Sequence, residues 1–182
     1  MKKLLFFSLL IIALLPMMSC HDDDNNIWTE YAQWRDDNDK WITDLVSKTN
    51  PDGSRYYERI TPPWNTNAYI LMHWFNDRAE TAGNLTPLYT SMVSVKYYGQ
   101  LYNDVPFDSS YKLVDSLFNT TPGSVIPGWG IALSQMHVGD TCEVVIPYTQ
   151  GYGATSTSII PPYSCLRFGI KLVNIPFYEL KP

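Results

Sequence analysis

Residues 125–162 read VIPGWGIALSQMHVGDTCEVVIPYTQGYGATSTSIIPP. Pro127 and Gly128 open a short helix that places Trp129, Ala132, Leu133 and Met136 on one face, an i, i+3, i+4, i+7 pattern. Proline suits the first helical turn, where its missing N–H is no loss. Gly139 suits the left-handed residue that ends such a helix. A strand is expected over Thr141–Pro147, with Cys142, Val144 and Ile146 pointing one way and Thr141, Glu143 and Val145 the other. A loop then carries Tyr152 between Gly151 and Gly153 and closes on Ile159-Ile160-Pro161-Pro162. A helix with a tryptophan at its mouth, a strand and an aromatic-tipped loop together suit a small apolar pocket with few polar groups.

Working outward, Met92–Tyr102 alternates as a strand. Val93, Val95, Tyr97 and Leu101 share one face and Ser94, Lys96 and Gln100 the other, so the alternation puts Tyr97 inside. Phe107-Asp108 follows a short turn, and Phe118 and Thr121-Pro122-Gly123 lead into Val125. The last strand, Cys165–Ile175, turns Leu166, Phe168, Ile170 and Leu172 to the core. Upstream, Gly53–Ile60 reads as a strand. Ala68–Asp77 reads as another, apolar on both faces and therefore covered on both. His73 within it reads as a core or edge histidine rather than a catalytic one. Residues 27–48 read as a helix on which Ile27, Tyr31, Trp34, Trp41 and Leu45 recur at helical spacing, interrupted by polar Asn38. The two tryptophans either pack on the domain behind or face a partner. Asn50-Pro51-Asp52-Gly53 stops the helix with turn chemistry. Strands before and after one short helix, rather than alternating with helices, argue an α+β domain with a largely antiparallel sheet.

These segments resemble FKBP-type peptidyl-prolyl cis–trans isomerase domains of the immunophilin group. The residues that carry the likeness are Val95-Lys96-Tyr97-Tyr98-Gly99, Phe107-Asp108-Ser109-Ser110, Val125-Ile126-Pro127-Gly128-Trp129, Gln135-Met136-His137-Val138-Gly139, Gly151-Tyr152-Gly153-Ala154, Ile159-Ile160-Pro161-Pro162 and Leu166-Arg167-Phe168. The likeness implies an antiparallel sheet of about five to six strands wrapped around one short helix, here with an extra helix at the N-terminal end. It implies a pocket with Trp129 as floor and Tyr97, Phe107, Val125, Ile126, Ile160 and Phe168 as walls. Tyr152 would offer its hydroxyl and Ile126 its backbone N–H to substrate carbonyls, with Asp108 as the charged group at the rim. The expected partners are proline-containing polypeptide segments and macrolide-type immunophilin ligands; no cofactor is implied. The chain departs from the family pattern at Ser116, where a second wall aromatic is usual, and at Tyr98, where a small hydroxyl residue is common. The 153–159 loop looks one residue short. The intact set of Tyr97, Asp108, Trp129, Tyr152 and Phe168 favours an enzyme accelerating X–Pro isomerisation; Ser116 and an insertion at about 64–88 favour a peptide-binding or chaperone module that turns over poorly.

The 182 residues allow one domain with a real core plus additions. Lys2 and Lys3 precede the apolar run Leu4–Leu15, which is shorter than the ~20 residues a spanning helix needs and reads as a signal peptide. Ser19-Cys20 resembles a bacterial lipoprotein cleavage site. Residues 1–19 are therefore expected to be a leader, 20–52 a lipid-anchored tether and helix, and 53–178 the isomerase-like domain, with an insertion at about 64–88. Cys20 would carry the lipid and hold the chain on a membrane. The expected location is the envelope of a Gram-negative bacterium, at the outer membrane; Asp22-Asp23-Asp24 resembles a surface-export tag and reads equally as a solvated tether. The formal charge of −5 becomes two units more negative once Lys2 and Lys3 are removed. An acidic chain without a basic stripe excludes ordinary nucleic-acid binding. Three scattered histidines without a cysteine or carboxylate at ligand spacing suggest no metal site. Cys142 and Cys165 fall on opposite strand faces and cannot approach as a disulfide requires.

Overall fold

The structure is a computed structural model and describes residues 23–178; the leader and Cys20 lie outside the described residues. The chain runs α1 (Asp23–Glu30), α2 (Ala32–Ser47), β1 (Glu58–Ile60), β2 (Ile70–Trp74), β3 (Met92–Leu101), β4 (Pro106–Ser109), β5 (Phe118–Thr120), α3 (Pro127–Leu133), β6 (Thr141–Ile146) and β7 (Leu166–Phe177). All strand pairings are antiparallel, in the order β1-β2-β6-β7-β3-β4, with β5 also on β3. The α+β architecture matches the expectation. The sheet has seven strands rather than five or six, because β5 is a three-residue strand whose alternation is too short to register as a period.

The inner face of the sheet wraps around α3. Val93, Val95 and Tyr97 of β3, Val144 and Ile146 of β6, and Phe168, Ile170 and Leu172 of β7 pack there with Trp129, Ala132 and Leu133. The outer face carries a second, smaller core of Ile42, Tyr57, Leu71, Val145 and Cys165 under α2. Leu71 pairs with Val145 in register, so both point out under the helix while Ile70 and Met72 point in. That is why β2 is apolar on both faces. β2 lies between β1 and β6, an interior position in the sheet. Cys142 belongs to the inner core and Cys165 to the outer one, and both are free. Burial pushes both thiols up, Cys165 to about 12.

Strands β3, β6 and β7 fall within two residues of the sequence reading at each end, and four features differ from it more. The helix over 27–48 is two helices separated at Tyr31. On the near side of the break Trp28 meets Tyr163, and Arg35 sits over the Trp28 ring at 3.5 Å and donates to the Trp28 carbonyl at 3.0 Å. The strand expected from Gly53 begins at Glu58, because Asn50 and Ser54 close a turn in front of it. The strand expected over Ala68–Asp77 is the shorter Ile70–Trp74. Gly139 does adopt a positive φ of 100°, but α3 ends at Leu133 with Ser134 still right-handed. Gly139 serves the turn into β6 instead, donating to the Leu172 carbonyl at 2.8 Å. Asn38 does not interrupt the packed stripe of α2. It is fully buried, its amide donates to the Trp34 carbonyl at 2.7 Å, and its oxygen accepts from the Cys165 N–H at 2.8 Å.

The turn between α3 and β6 is stapled by Asp140. The buried carboxylate accepts from Thr81 at 2.5 Å, from Asn76 at 3.1 Å and from the His137 N–H at 2.8 Å, and lies 3.3 Å from the Arg78 guanidinium. Burial alone would raise its pKa. The hydrogen bonds and the Arg78 charge outweigh it, and the net shift is downward.

Tyr98, bulky where the family tends to be small, lies over β7 opposite Gly169. A Cβ on Gly169 would meet the Tyr98 ring at 2.3 Å. Gly169→Ala is therefore expected to destabilise the fold by about 1–3 kcal/mol through overpacking. In a Tyr98→Ala background the same change should cost far less, which denaturant unfolding of the four chains checks. Equal costs in the two backgrounds would show that the ring is not what Gly169 accommodates.

Candidate functional site

Trp129 enters the sheet's inner face from the first turn of α3, where its N–H already bonds the Ile126 carbonyl at 2.9 Å. Three rings meet its indole edge-on: Tyr97 at 5.0 Å and 88°, Phe168 at 5.2 Å and 90°, and Phe118 at 6.4 Å and 84°. Phe107 stands edge-on to Phe168 at 5.4 Å. Each such pair contributes ~0.5–1.5 kcal/mol beyond the area it buries. Gly99 makes the last pair reachable, because a Cβ there would meet Phe107 at 2.7 Å and Phe168 at 2.8 Å.

These rings border a cavity of about 440 Å³ open to solvent. Tyr97, Phe107, Asp108, Val125, Ile126, Trp129, Tyr152, Ile160 and Phe168 all line it. The sequence reading did not place Phe118, Ser124, Thr157 and Ile159 there, and they line it too. Ser116 does not: it sits in the turn before β5 with φ 59°, and Phe118 supplies the aromatic wall on that side. One signal could have found Phe118, namely that it is the sole aromatic between Phe107 and Trp129 apart from Tyr111.

The polar groups at the mouth are few and ordered. The Tyr97 hydroxyl donates to Asp108 Oδ2 at 2.5 Å, and the Ser109 N–H donates to Oδ1 at 2.7 Å, so the carboxylate is held in place. Burial, then the Asp108 hydrogen bond and charge, raise the Tyr97 pKa; burial and Asp108 also raise that of Tyr152. Both phenols stay protonated donors at neutral pH. Among the described residues the Tyr152 hydroxyl and the Ile126 N–H have no hydrogen-bond partner, so both are free for a ligand. The lip is closed by its own backbone. The Thr157 hydroxyl accepts from the Ile160 N–H at 2.9 Å, the Thr157 N–H donates to the Ile160 carbonyl at 2.9 Å, and the Tyr163 N–H donates to the Gly153 carbonyl at 2.8 Å.

His73 is elsewhere, stacked on Tyr56 at 3.9 Å on the outer face, and His137 belongs to the Asp140 staple. Among the described residues no three His, Cys, Asp or Glu side chains are placed to hold a metal ion.

The sequence profile of FKBP-type peptidyl-prolyl cis-trans isomerases matches residues 84–173. FK506-binding protein 3 of Yarrowia lipolytica is 40% identical over 85 residues, 47% of this chain and 21% of that protein. The chain thus spans about a fifth of that relative's length. FK506-binding protein 1 of Dictyostelium discoideum is 38% identical over 97 residues, 52% of this chain and 90% of that protein. FkpA from Escherichia coli superposes with a TM-score of 0.67 over 85% of this chain and 65% of its own; at 20% identity that likeness concerns the fold. With nearly the whole of the Dictyostelium protein covered at that identity, the chain belongs to the FKBP-type peptidyl-prolyl cis-trans isomerase family.

Proposed function

We propose that this chain accelerates cis–trans isomerisation of X–Pro bonds in exported or envelope proteins, and that the Trp129 cavity is where it does so. The observation that carries the reading is the cavity itself: six aromatic side chains and aliphatic walls around a volume suited to a prolyl ring, with two unspent donors near the mouth. Rotation about the X–Pro bond faces a barrier of ~18–20 kcal/mol because resonance holds the amide planar. The planar amide is more dipolar than the twisted one, so a dry apolar site favours the twisted form relative to water. Only an interaction stronger in the twisted state raises the rate. A donor on the reacting carbonyl would favour the planar form. Tyr152 and the Ile126 N–H are therefore assigned to flanking carbonyls, which they hold in register with the cavity. Asp108, fixed by Tyr97, sets the charge at the rim. The mechanism uses no nucleophile and no proton transfer. Macrolide-type immunophilin ligands are expected in the same cavity.

Two classes of outcome separate enzyme from binding module in a protease-coupled isomerisation assay. Trp129→Ala is expected to damage the rate most, because it removes the floor and admits water. Tyr152→Phe and Asp108→Val, which leave the apolar volume nearly intact, should each cost on the order of tenfold or less, the equivalent of ~1.4 kcal/mol. Circular dichroism checks that each variant folds. The wild-type rate should not decline between pH 7 and 9 through loss of a tyrosine donor, since both phenols titrate above their ordinary value of 10.0. A rate equal to background, with peptide binding that still depends on Trp129, replaces the enzyme by a chaperone-like binder. Independence of both from Trp129 removes the site assignment.

We further read residues 1–19 as a lipoprotein leader, 20–52 as tether and helical arm, and 53–178 as the domain, with 64–88 an addition to it. The support is Ser19-Cys20 after a short apolar run. Cys20 then carries lipid at the outer membrane. Cys20→Ala should move the protein from the membrane to the soluble fraction of lysed cells, and retention of the processed variant on membranes would contradict the anchor.

A further inference from the structure

We propose that α2 positions the cavity's outer wall: Trp34, acting through Ser164 and Pro161, sets Ile160. This rests on the reading of the cavity as a proline-peptide site and adds a positioning residue to it from outside the segments that resemble the family.

The connection is a short chain of hydrogen bonds. Trp34 Nε1 donates to Ser164 Oγ at 3.0 Å, and Ser164 Oγ donates its proton to the Pro161 carbonyl at 2.7 Å. Pro161 follows Ile160, which is 4% exposed and lines the cavity. The Ser164 hydroxyl has one proton to donate. With the indole N–H as its donor, that proton goes to Pro161, and the turn at 160–164 has one hydrogen-bonded arrangement. One turn along the same helix face, Asn38 accepts from the Cys165 N–H and donates to the Trp34 carbonyl. Trp34 and Asn38 thus grip 161–165 at two points.

The gripped turn is strained. Tyr163 is a bulky, buried residue at φ 59°, a left-handed conformation that costs of order 1 kcal/mol or more and persists where surroundings over-determine it. Here the surroundings come from both sides. Trp28 meets the Tyr163 ring edge-on at 5.2 Å and Tyr148 meets it at 5.6 Å. The Tyr163 N–H is spent on the Gly153 carbonyl, one residue from Tyr152. The same turn therefore feeds both the Ile160 wall and the Tyr152 tip. Releasing Trp34 frees a turn whose preferred geometry is not the one the cavity requires.

The test uses the full chain in detergent and the peptide Ala-Ala-Pro-Phe amide as probe, with affinity read by calorimetry. Trp34→Phe keeps an aromatic ring against Tyr102, which the indole meets at 4.9 Å, and removes the N–H together with the pyrrole half of the indole. Ser164→Ala removes the relay. Each should weaken peptide binding about threefold to tenfold, the worth of one net hydrogen bond. The double variant should be no weaker than the worse single, because both break the same path. Amide exchange over 157–163 should speed up in each single variant. Thr81→Val, which removes a hydrogen bond to Asp140 in the turn before β6, should lower stability and leave affinity unchanged. Wild-type affinity in both single variants, or losses that add in the double, would reduce α2 to a stabilising strut and overturn the proposal. Trp129→Ala separates the two failures: if it too binds as wild type, the cavity reading falls and this proposal with it.

Discussion

The pocket depends on one contact, the edge-on packing of Tyr97 and Phe168 against the indole of Trp129. α3 has only seven residues, too few to persist alone. What keeps it in place is the sheet closing over it, with all but its first residue buried. Trp129 is therefore both part of the core and part of the cavity's lining. A residue so placed couples stability to the shape of the cavity, which is why a lost rate in Trp129→Ala has to be read beside its folding. The neighbouring rings come from separate elements, Tyr97 from β3, Phe168 from β7 and Phe107 from β4. The register of the β3–β7 pair, with Gly99 opposite Phe168, brings them together.

The second layer is the N-terminal helical arm. It covers the outer face with Ile42 on Leu71, Val145 and Cys165, so the sheet is buried on both sides near β2, β6 and the start of β7. Its polar contacts are as specific as its apolar ones. A buried asparagine amide without partners would cost ~1–3 kcal/mol, and Asn38 instead has both ends satisfied, one within the helix and one on Cys165. The arm is tied by Trp34 and Ser164 to the turn that follows Ile160, where outer layer and cavity meet.

Much of this was legible in the residues because it is periodic or motif-bound. Alternation alone put Tyr97 inside, an apolar run without alternation made β2 a covered strand, and the family motifs named nine residues that line one cavity. What escaped reading has a common cause. Asn38 looks like a break in an apolar stripe, because sequence shows polarity and not the Cys165 N–H waiting for it. Phe118 sits in a strand of three residues, below the length at which alternation is a signal. Gly99 and Gly169 owe their identity to rings on other strands, and Ser164 to an indole 130 positions away. Long-range partners of this kind carry no local pattern.

The central claim is that this cavity lowers a rotational barrier rather than selecting an isomer. Exchange NMR on an Ala-Pro peptide measures both at once. Uncatalysed, the cis and trans signals interconvert over tens to hundreds of seconds and stay separate. With a substoichiometric amount of the chain, the account predicts exchange between the two signals with their ratio unchanged, since a catalyst leaves the equilibrium alone. A ratio that shifts in proportion to added protein, with exchange still slow, would contradict it.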